Sequence, residues 1–223
     1  MHVLRYFVGT IQMQTKSQLL QPGVLIQPAL VGLLLGILLF QSKPAIGFNP
    51  DDLQKLRATN ICQSCDLKGA NLVDLNLYQA DLTGADLREA NLIRVDLTLA
   101  NLSRADLRGA NLVNGVTLYQ ARLTEANLAG AYLMGANLRS ANLEKADLMG
   151  ANLYRAFLNG AFLQEANLQQ ADLRLADMRV VNLRQANLRG AKLQGVLLDG
   201  AFFDQDTRFD VGFDAIGMGM QGY

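Results

Sequence analysis

Residues 65–112 read CDLKG ANLVD LNLYQ ADLTG ADLRE ANLIR VDLTL ANLSR ADLRG ANL. Written in fives, the stretch is one motif, A-[N/D]-L-x-x, as in Ala70-Asn71-Leu72-Val73-Asp74 and Ala85-Asp86-Leu87-Arg88-Glu89. With the Leu taken as the centre, centres fall every five residues from Leu67 to Leu112 and again from Leu118 to Phe203, 28 repeats in all. Only Met178 and Phe203 replace the central Leu. Self-similarity of this kind decides the architecture ahead of any other feature.

A period of five fits neither ordinary element. On an α-helix five residues turn the chain by about 500°, so successive Leu would circle the axis. On a continuous strand an odd step sends successive Leu to opposite faces. The pattern closes if each repeat is a short extended piece followed by a corner, with Ala and Leu, two apart, both pointing inward. Ten of the second corner residues are Gly, among them Gly69, Gly84, Gly109 and Gly150, as a type II turn with positive φ favours. Four corners make a square coil of 20 residues. The expectation is therefore an all-β solenoid of about seven coils, about 34 Å long at ~4.8 Å per coil.

Leu fills the centre, and the second inward position takes only small residues: Ala, or Cys65, Val95, Val116, Val181 and Val196. Leu75 is the exception and should cause a bulge. The six-residue step from Leu112 to Leu118 inserts one residue at Val113-Asn114-Gly115, which a single-residue bulge at a corner absorbs. Open solenoid ends invite edge-to-edge association. At the first end, Asn49-Pro50-Asp51-Asp52-Leu53 reads as N-cap, proline at the first helical position and acids at the positive end of the dipole. That helix should run to about Ala58 and cover the first coil. Phe202, Phe203, Phe209 and Phe213 should cover the last, with residues 217–223 frayed.

The 223 residues carry 20 basic and 20 acidic side chains, two Cys and one His, His2. A cationic nucleic-acid binder, histidine-based catalysis and a Cys-rich scaffold are thereby excluded. Residues 24–40, VLIQPALVGLLLGILLF, are shorter than the roughly 20 apolar residues of a spanning helix and follow Arg5 and Lys16, as in a signal peptide cut after Gly47. An uncleaved N-terminal anchor is the alternative, and either exports the rest. The organisation read is thus 1–47 signal peptide or anchor, 48–60 capping helix, 61–203 β-helix, and 204–223 C-terminal cap and flexible tail. The leader has three cations and no acid, and residues 66–203 balance at 14 acids against 14 bases. The acidic excess sits in residues 204–223, with four Asp against Arg208.

With its A-[N/D]-L-x-x motif running from 65 to 203, the chain resembles the pentapeptide-repeat family. The resemblance implies a right-handed quadrilateral β-helix. The leader, the NPDDLQKL helix and the FDQDTRFDVGFDA tail are similar to exported cyanobacterial and thylakoid-lumen members, which implies a thylakoid lumen or periplasmic location. Some relatives dimerise through their C-terminal aromatics, so a monomer or a weak homodimer is expected. Acidic members mimic duplex DNA and occupy topoisomerases, and this is the alternative function. It fits poorly, because Asp columns here are followed two residues on by cations: Asp66/Lys68, Asp86/Arg88, Asp106/Arg108, Asp172/Arg174 and Asp177/Arg179.

Candidate sites are few. Cys62 and Cys65 both fall on inward positions at a corner and could be a disulfide, two buried thiols or a redox pair. Asp204-Gln205-Asp206 with Asp210 lacks the Gly and distal Glu of a Ca²⁺ loop, and no residue set suggests a metal or cofactor. Surface carboxylates have no pocket for hydrolysis. Tyr78, Tyr119, Phe157 and Leu197 point outward from one wall, Leu99 and Val180 stand at its corners, and Phe162 lies on the adjacent wall. Exposed aromatics on a flat wall can anchor a partner. The function expected is a non-catalytic, exported structural or protein-interaction module with an unidentified protein partner, no direct nucleic-acid binding, and membrane contact only through an uncleaved N-terminus.

Overall fold

The structure, a computed structural model, describes residues 47–222; the leader and anchor readings lie outside them. It opens with α1 (Pro50–Thr59). The Asn49 side chain accepts from Asp51 N, Pro50 starts the first turn, and Asn60 closes the helix in a left-handed conformation. Leu56 is buried and Leu53 packs against the core. Asn49 N donates to Asp66 O at 2.9 Å and Asp66 N to Asp52 Oδ2 at 2.8 Å.

From Ile61 onward the backbone forms a four-sided parallel solenoid. Bridges join residues 20 apart, as in Asp66 to Asp86 and Asp86 to Asp106, become 21 across the inserted residue (Asp106 to Asn127), and return to 20 at Thr117 to Asn137. The core is a column of central Leu flanked by Ala, nearly all with no exposed surface. Cys62 and Cys65 belong to it and are joined as a disulfide across the first corner, Cα atoms 5.3 Å apart.

Backbone hydrogen bonding follows one rule per repeat. The central residue and the second corner residue donate forward to the next coil, as Leu67 N does to Asp86 O and Gly69 N to Arg88 O. The residue before the centre donates backward, as Asp86 N does to Cys65 O. The small inward residue closes the turn, as Ala70 N does to Leu67 O. That leaves the N–H of the first corner residue, and the Asn or Asp two residues earlier accepts it: Arg88 N to Asp86 Oδ1 at 3.1 Å, Ala129 N to Asn127 Oδ1 at 3.1 Å, Tyr154 N to Asn152 Oδ1 at 3.1 Å. The second letter of the motif is therefore a turn cap of the Asx kind. It completes the pairing of an otherwise orphaned donor.

Every regular corner has positive φ at its second residue, whether Gly (Gly150, 66°) or not (Val180, 57°; Leu175, 59°). The inserted residue lies where expected: Asn114 (57°) and Gly115 (92°) both have positive φ, and neither makes a ladder bond.

Three expectations are corrected. Leu75 causes no bulge: Leu75 N bonds Leu72 O, and Asp96 N bonds Leu75 O, both at 3.1 Å. It sits in the first coil, with no coil beneath it, and its surplus volume is half-exposed there. The tail is not frayed. Gln221–Gly222 (β2) pairs in parallel with Phe202–Phe203 (β1), Gln221 N donates to Ala201 O at 2.7 Å, and Met220 is buried. The unpaired edge of the last coil recruits these residues because its donors and acceptors need partners. Finally, Phe202 does not cover the end. It stands on the outer wall in register with Asn182, with the Arg184 guanidinium 5.8 Å from its ring centroid. Phe203, Phe209 and Phe213 pack on the core instead, with ring centroids 6.1 Å apart for Phe203–Phe209 and 4.6 Å for Phe209–Phe213.

Candidate interaction surface

Most wall positions before a central Leu hold Asn or Asp, whose side chain caps the following turn. Where an apolar residue replaces them, the turn forfeits a bond whose net contribution is about 0.5–1.5 kcal/mol. Phe157, Phe162, Leu197 and Tyr132 are such replacements, and they are 39%, 47%, 46% and 53% exposed. They neither cap a turn nor fill the core. Local departures from a motif that burial does not compensate occur at functional or strained positions.

Phe157 and Phe162 belong to adjoining walls. Phe157 lies in the column Asn137, Phe157, Asp177, Leu197, and Phe162 in the column Asn142, Phe162, Asn182, Phe202. Between them, Asn159 and Gly160 turn the corner. Gly160 has a φ of 70°, and its missing side chain helps to leave a shallow depression of about 520 Å³ lined by Ser140, Asn159, Gly160, Arg179, Val180 and Asp199. Arg139 lies over the Phe157 ring at 4.4 Å from its centroid and donates to Asn159 Oδ1 at 3.0 Å. The edge thus carries two exposed aromatics on adjoining walls with a shallow hollow at the corner between them, and Val180 is exposed in its lining.

The other proposed residues are more scattered. Tyr78 and Tyr119 are exposed first corner residues on the same wall, toward its N-terminal end. Leu197 stands in the Phe157 column, but Asp177, held by Arg179, intervenes. Tyr132, Met134 and Met149 are also exposed, and sequence reasoning passed over them. The signal was present: Tyr132 breaks the Asn/Asp column, as Phe157 does.

Charges on the walls are arranged in pairs. Arg108 contacts Asp106 at 2.6 Å, Arg174 contacts Asp172 at 2.6 Å, Arg179 contacts Asp177 at 2.8 Å, and Arg88 bridges Asp86 and Asp106. Hydrogen bonds from those guanidiniums hold the Asp86, Asp106, Asp172 and Asp177 carboxyls below their ordinary range. Lys68 departs from the expectation: its Nζ reaches Glu89 at 3.8 Å rather than Asp66, whose Oδ1 accepts Lys68 N. A flexible, strongly hydrated ammonium has no fork to match a neighbouring carboxylate, whereas Arg does. Asp204 Oδ1 accepts from Gln185 N, Asp206 N and Thr207, and Asp210 Oδ1 accepts from Gly190 N. These carboxylates close the last coil. Among the described residues no group of three or more His, Cys, Asp or Glu is placed to hold a metal.

A profile of pentapeptide repeats matches in 8 copies, over residues 61–98, 100–139, 118–153, 146–185 and 176–205. The chain belongs to the pentapeptide-repeat family. Its members fold as right-handed quadrilateral β-helices and serve generally as structural or interaction modules, and the solenoid of this chain is of that architecture. Among solved structures it is similar to HetL, a pentapeptide repeat protein involved in heterocyst differentiation regulation from the cyanobacterium Nostoc sp. strain PCC 7120. The identity is 33%, over 70% of this chain and 84% of HetL, with a TM-score of 0.41. It is similar to Rfr23 from the cyanobacterium Cyanothece 51142 at 30% identity, over 72% of this chain and 98% of that one, TM-score 0.33. It also matches AT2G44920, from the Arabidopsis thaliana thylakoid lumen, at 24% identity, over 60% and 72% of the two chains, TM-score 0.23. No curated protein sequence matches the chain significantly.

Proposed function

We propose that this pentapeptide-repeat protein is an exported, non-catalytic structural or interaction module. It is a rod of about seven coils, covered by α1 at one end and by the Phe203, Phe209 and Phe213 stack at the other, and monomeric or weakly dimeric through that second end. It docks an unidentified protein partner on the edge formed by Phe157 and Phe162. The observation that carries this reading is that both rings occupy turn-capping positions and stay exposed. The filled Leu and Ala interior supports a role without catalysis, because it has no room for a substrate. The leader read in residues 1–47 supports export to a thylakoid lumen or periplasm, and the Cys62–Cys65 disulfide is compatible with an oxidising compartment. The column-wise charge pairing disfavours mimicry of a DNA duplex.

Crosslinked pull-downs of wild type and of the Phe157→Ser/Phe162→Ser double variant test the docking edge. Loss of one dominant partner with the fold intact by circular dichroism supports it, and an unchanged partner set removes this edge as the docking surface. Subcellular fractionation with mass measurement of the mature N-terminus tests export. An intact residue 1–223 chain recovered from the cytosol overturns that part of the reading.

A further inference from the structure

The sequence contains two Asn-Gly pairs, Asn114-Gly115 and Asn159-Gly160, and the fold treats them oppositely. Asn159-Gly160 turns a regular corner. Gly160 N donates to Arg179 O of the next coil at 3.0 Å, and the Asn159 carboxamide oxygen accepts from Arg139 Nε at 3.0 Å. Asn114-Gly115 is the inserted bulge. Both residues are exposed, and the N–H groups of residues 113 to 116 make no hydrogen bond among the described residues. The Asn111 side chain, whose counterparts cap the regular turns, makes no such bond here either. This corner is the one place in the solenoid where an Asn carboxamide and the following amide nitrogen are both unheld.

We infer that Asn114 is a site of spontaneous deamidation, while Asn159 is protected by the fold. The Gly115 backbone nitrogen, after losing its proton to solvent, attacks Asn114 Cγ. The new C–N bond closes a five-membered succinimide, and the carboxamide nitrogen takes up a proton and leaves as ammonia. Water then opens the ring at either carbonyl, giving aspartate or an isoaspartyl linkage. Gly115 favours the attack because it has no Cβ to crowd its nitrogen. At Asn159 the same step would first require breaking the Gly160–Arg179 ladder bond and the Arg139 bond, which is a local opening of the solenoid.

The product matters for the surface. Asn114 stands at the same corner column as Asp74 and Arg94, which pair at 2.6 Å, and a Cβ on Gly115 would lie 4.0 Å from Arg94 Cγ. Deamidation adds a carboxylate to this corner, one coil on from the Asp74–Arg94 pair. It tips a rod balanced at 14 acids and 14 bases toward the acidic side. The isoaspartyl form also adds a backbone carbon, which a corner without ladder bonds can absorb.

The test incubates the purified full chain in mildly alkaline buffer, folded and in denaturing urea, and follows both sites by peptide mapping with mass spectrometry. An isoaspartate-specific carboxyl methylation assay is run in parallel. In the folded chain Asn114 converts at least about ten-fold faster than Asn159, because even a ~1.4 kcal/mol opening cost is a factor of ten. In urea the two convert at comparable rates. Equal rates in the folded chain overturn the inference, as does an Asn114 that stays intact when folded yet converts in urea.

Discussion

Val180 is a β-branched residue held at a φ of 57° on an exposed corner. In that region an L side chain crowds the adjoining carbonyl at a cost of about 1–2 kcal/mol. Replacing Val180 with Gly removes the crowding and loses little burial, since Val180 is 57% exposed. The Val180 N to Asp199 O ladder bond at 3.0 Å is untouched. Against this stands the larger entropy that Gly loses on folding, about 0.5–1 kcal/mol. The expected balance is a stabilisation of about 0.5–1 kcal/mol, opposite in sign to the usual effect of Gly within β structure. Gly150→Val is the reciprocal change. Gly150 has a φ of 66° and open space where a Cβ would go, so its cost of about 1 kcal/mol is conformational alone. Urea unfolding followed by circular dichroism should separate the two variants by about 1.5–2 kcal/mol, with wild type between them. A lowered midpoint for Val180→Gly, or an unchanged one for Gly150→Val, would refute the turn argument.

Leu128→Ala empties a fully buried centre position and should cost about 3–4 kcal/mol in the same assay; a loss under about 1.5 kcal/mol would mean the coils collapse to fill the void. Deleting Gly115 restores the five-residue period and puts Asn114 at a regular positive-φ corner, so the variant should fold with equal or higher stability, and an unfolded product by circular dichroism would contradict the bulge assignment. Acid titration has a defined direction. The Asp86, Asp106, Asp172 and Asp177 carboxyls are held down by their Arg partners, so their contribution is complete above the unfolded value of about pH 4 and is lost as pH falls below it. Each is small because the Arg partners are largely exposed; a fold that gained stability on acidification through that range would reverse the sign. Truncation after Ile216 strips β2 and Met220 from the last coil and should produce concentration-dependent association on size-exclusion chromatography, which an unchanged elution volume would disprove.

The spacing of Leu and Ala made the solenoid, its register and the bulge at Asn114 legible, because a five-residue period has only one way to bury every Leu. The role of the Asn/Asp column was not legible in that way. An outward polar residue looks like a solubilising one, and its bond to the N–H two residues on becomes visible only when all other donors are accounted for. Tyr132, Phe157 and Phe162 are accordingly absent caps rather than merely scattered exposed apolar residues. The β2 pairing was hidden because Gln221–Gly222 carries no motif; the demand for it comes from the unpaired edge of β1. Leu75 and Lys68 depended on which coil lies beneath and which carboxylate a flexible side chain reaches, and neither is periodic.

Because two N–H groups per repeat point forward and only one points back, the two ends of the rod are chemically unlike. The last coil offers surplus donors, which Asp204 and Asp210 accept at Gln185 N and Gly190 N. The first coil offers surplus carbonyls, which Asn49 N and the Asn60 carboxamide fill at Asp66 O and Tyr78 O. Bare ends would be mates: the tail of one copy would continue the ladder of the next, a head-to-tail contact that never closes and grows a fibre. Two like ends would meet donor to donor, so any dimer through the C-terminal end must rest on side chains. The acidic tail is in this sense a terminator, and the N-terminal helix segment is its counterpart at the opposite end.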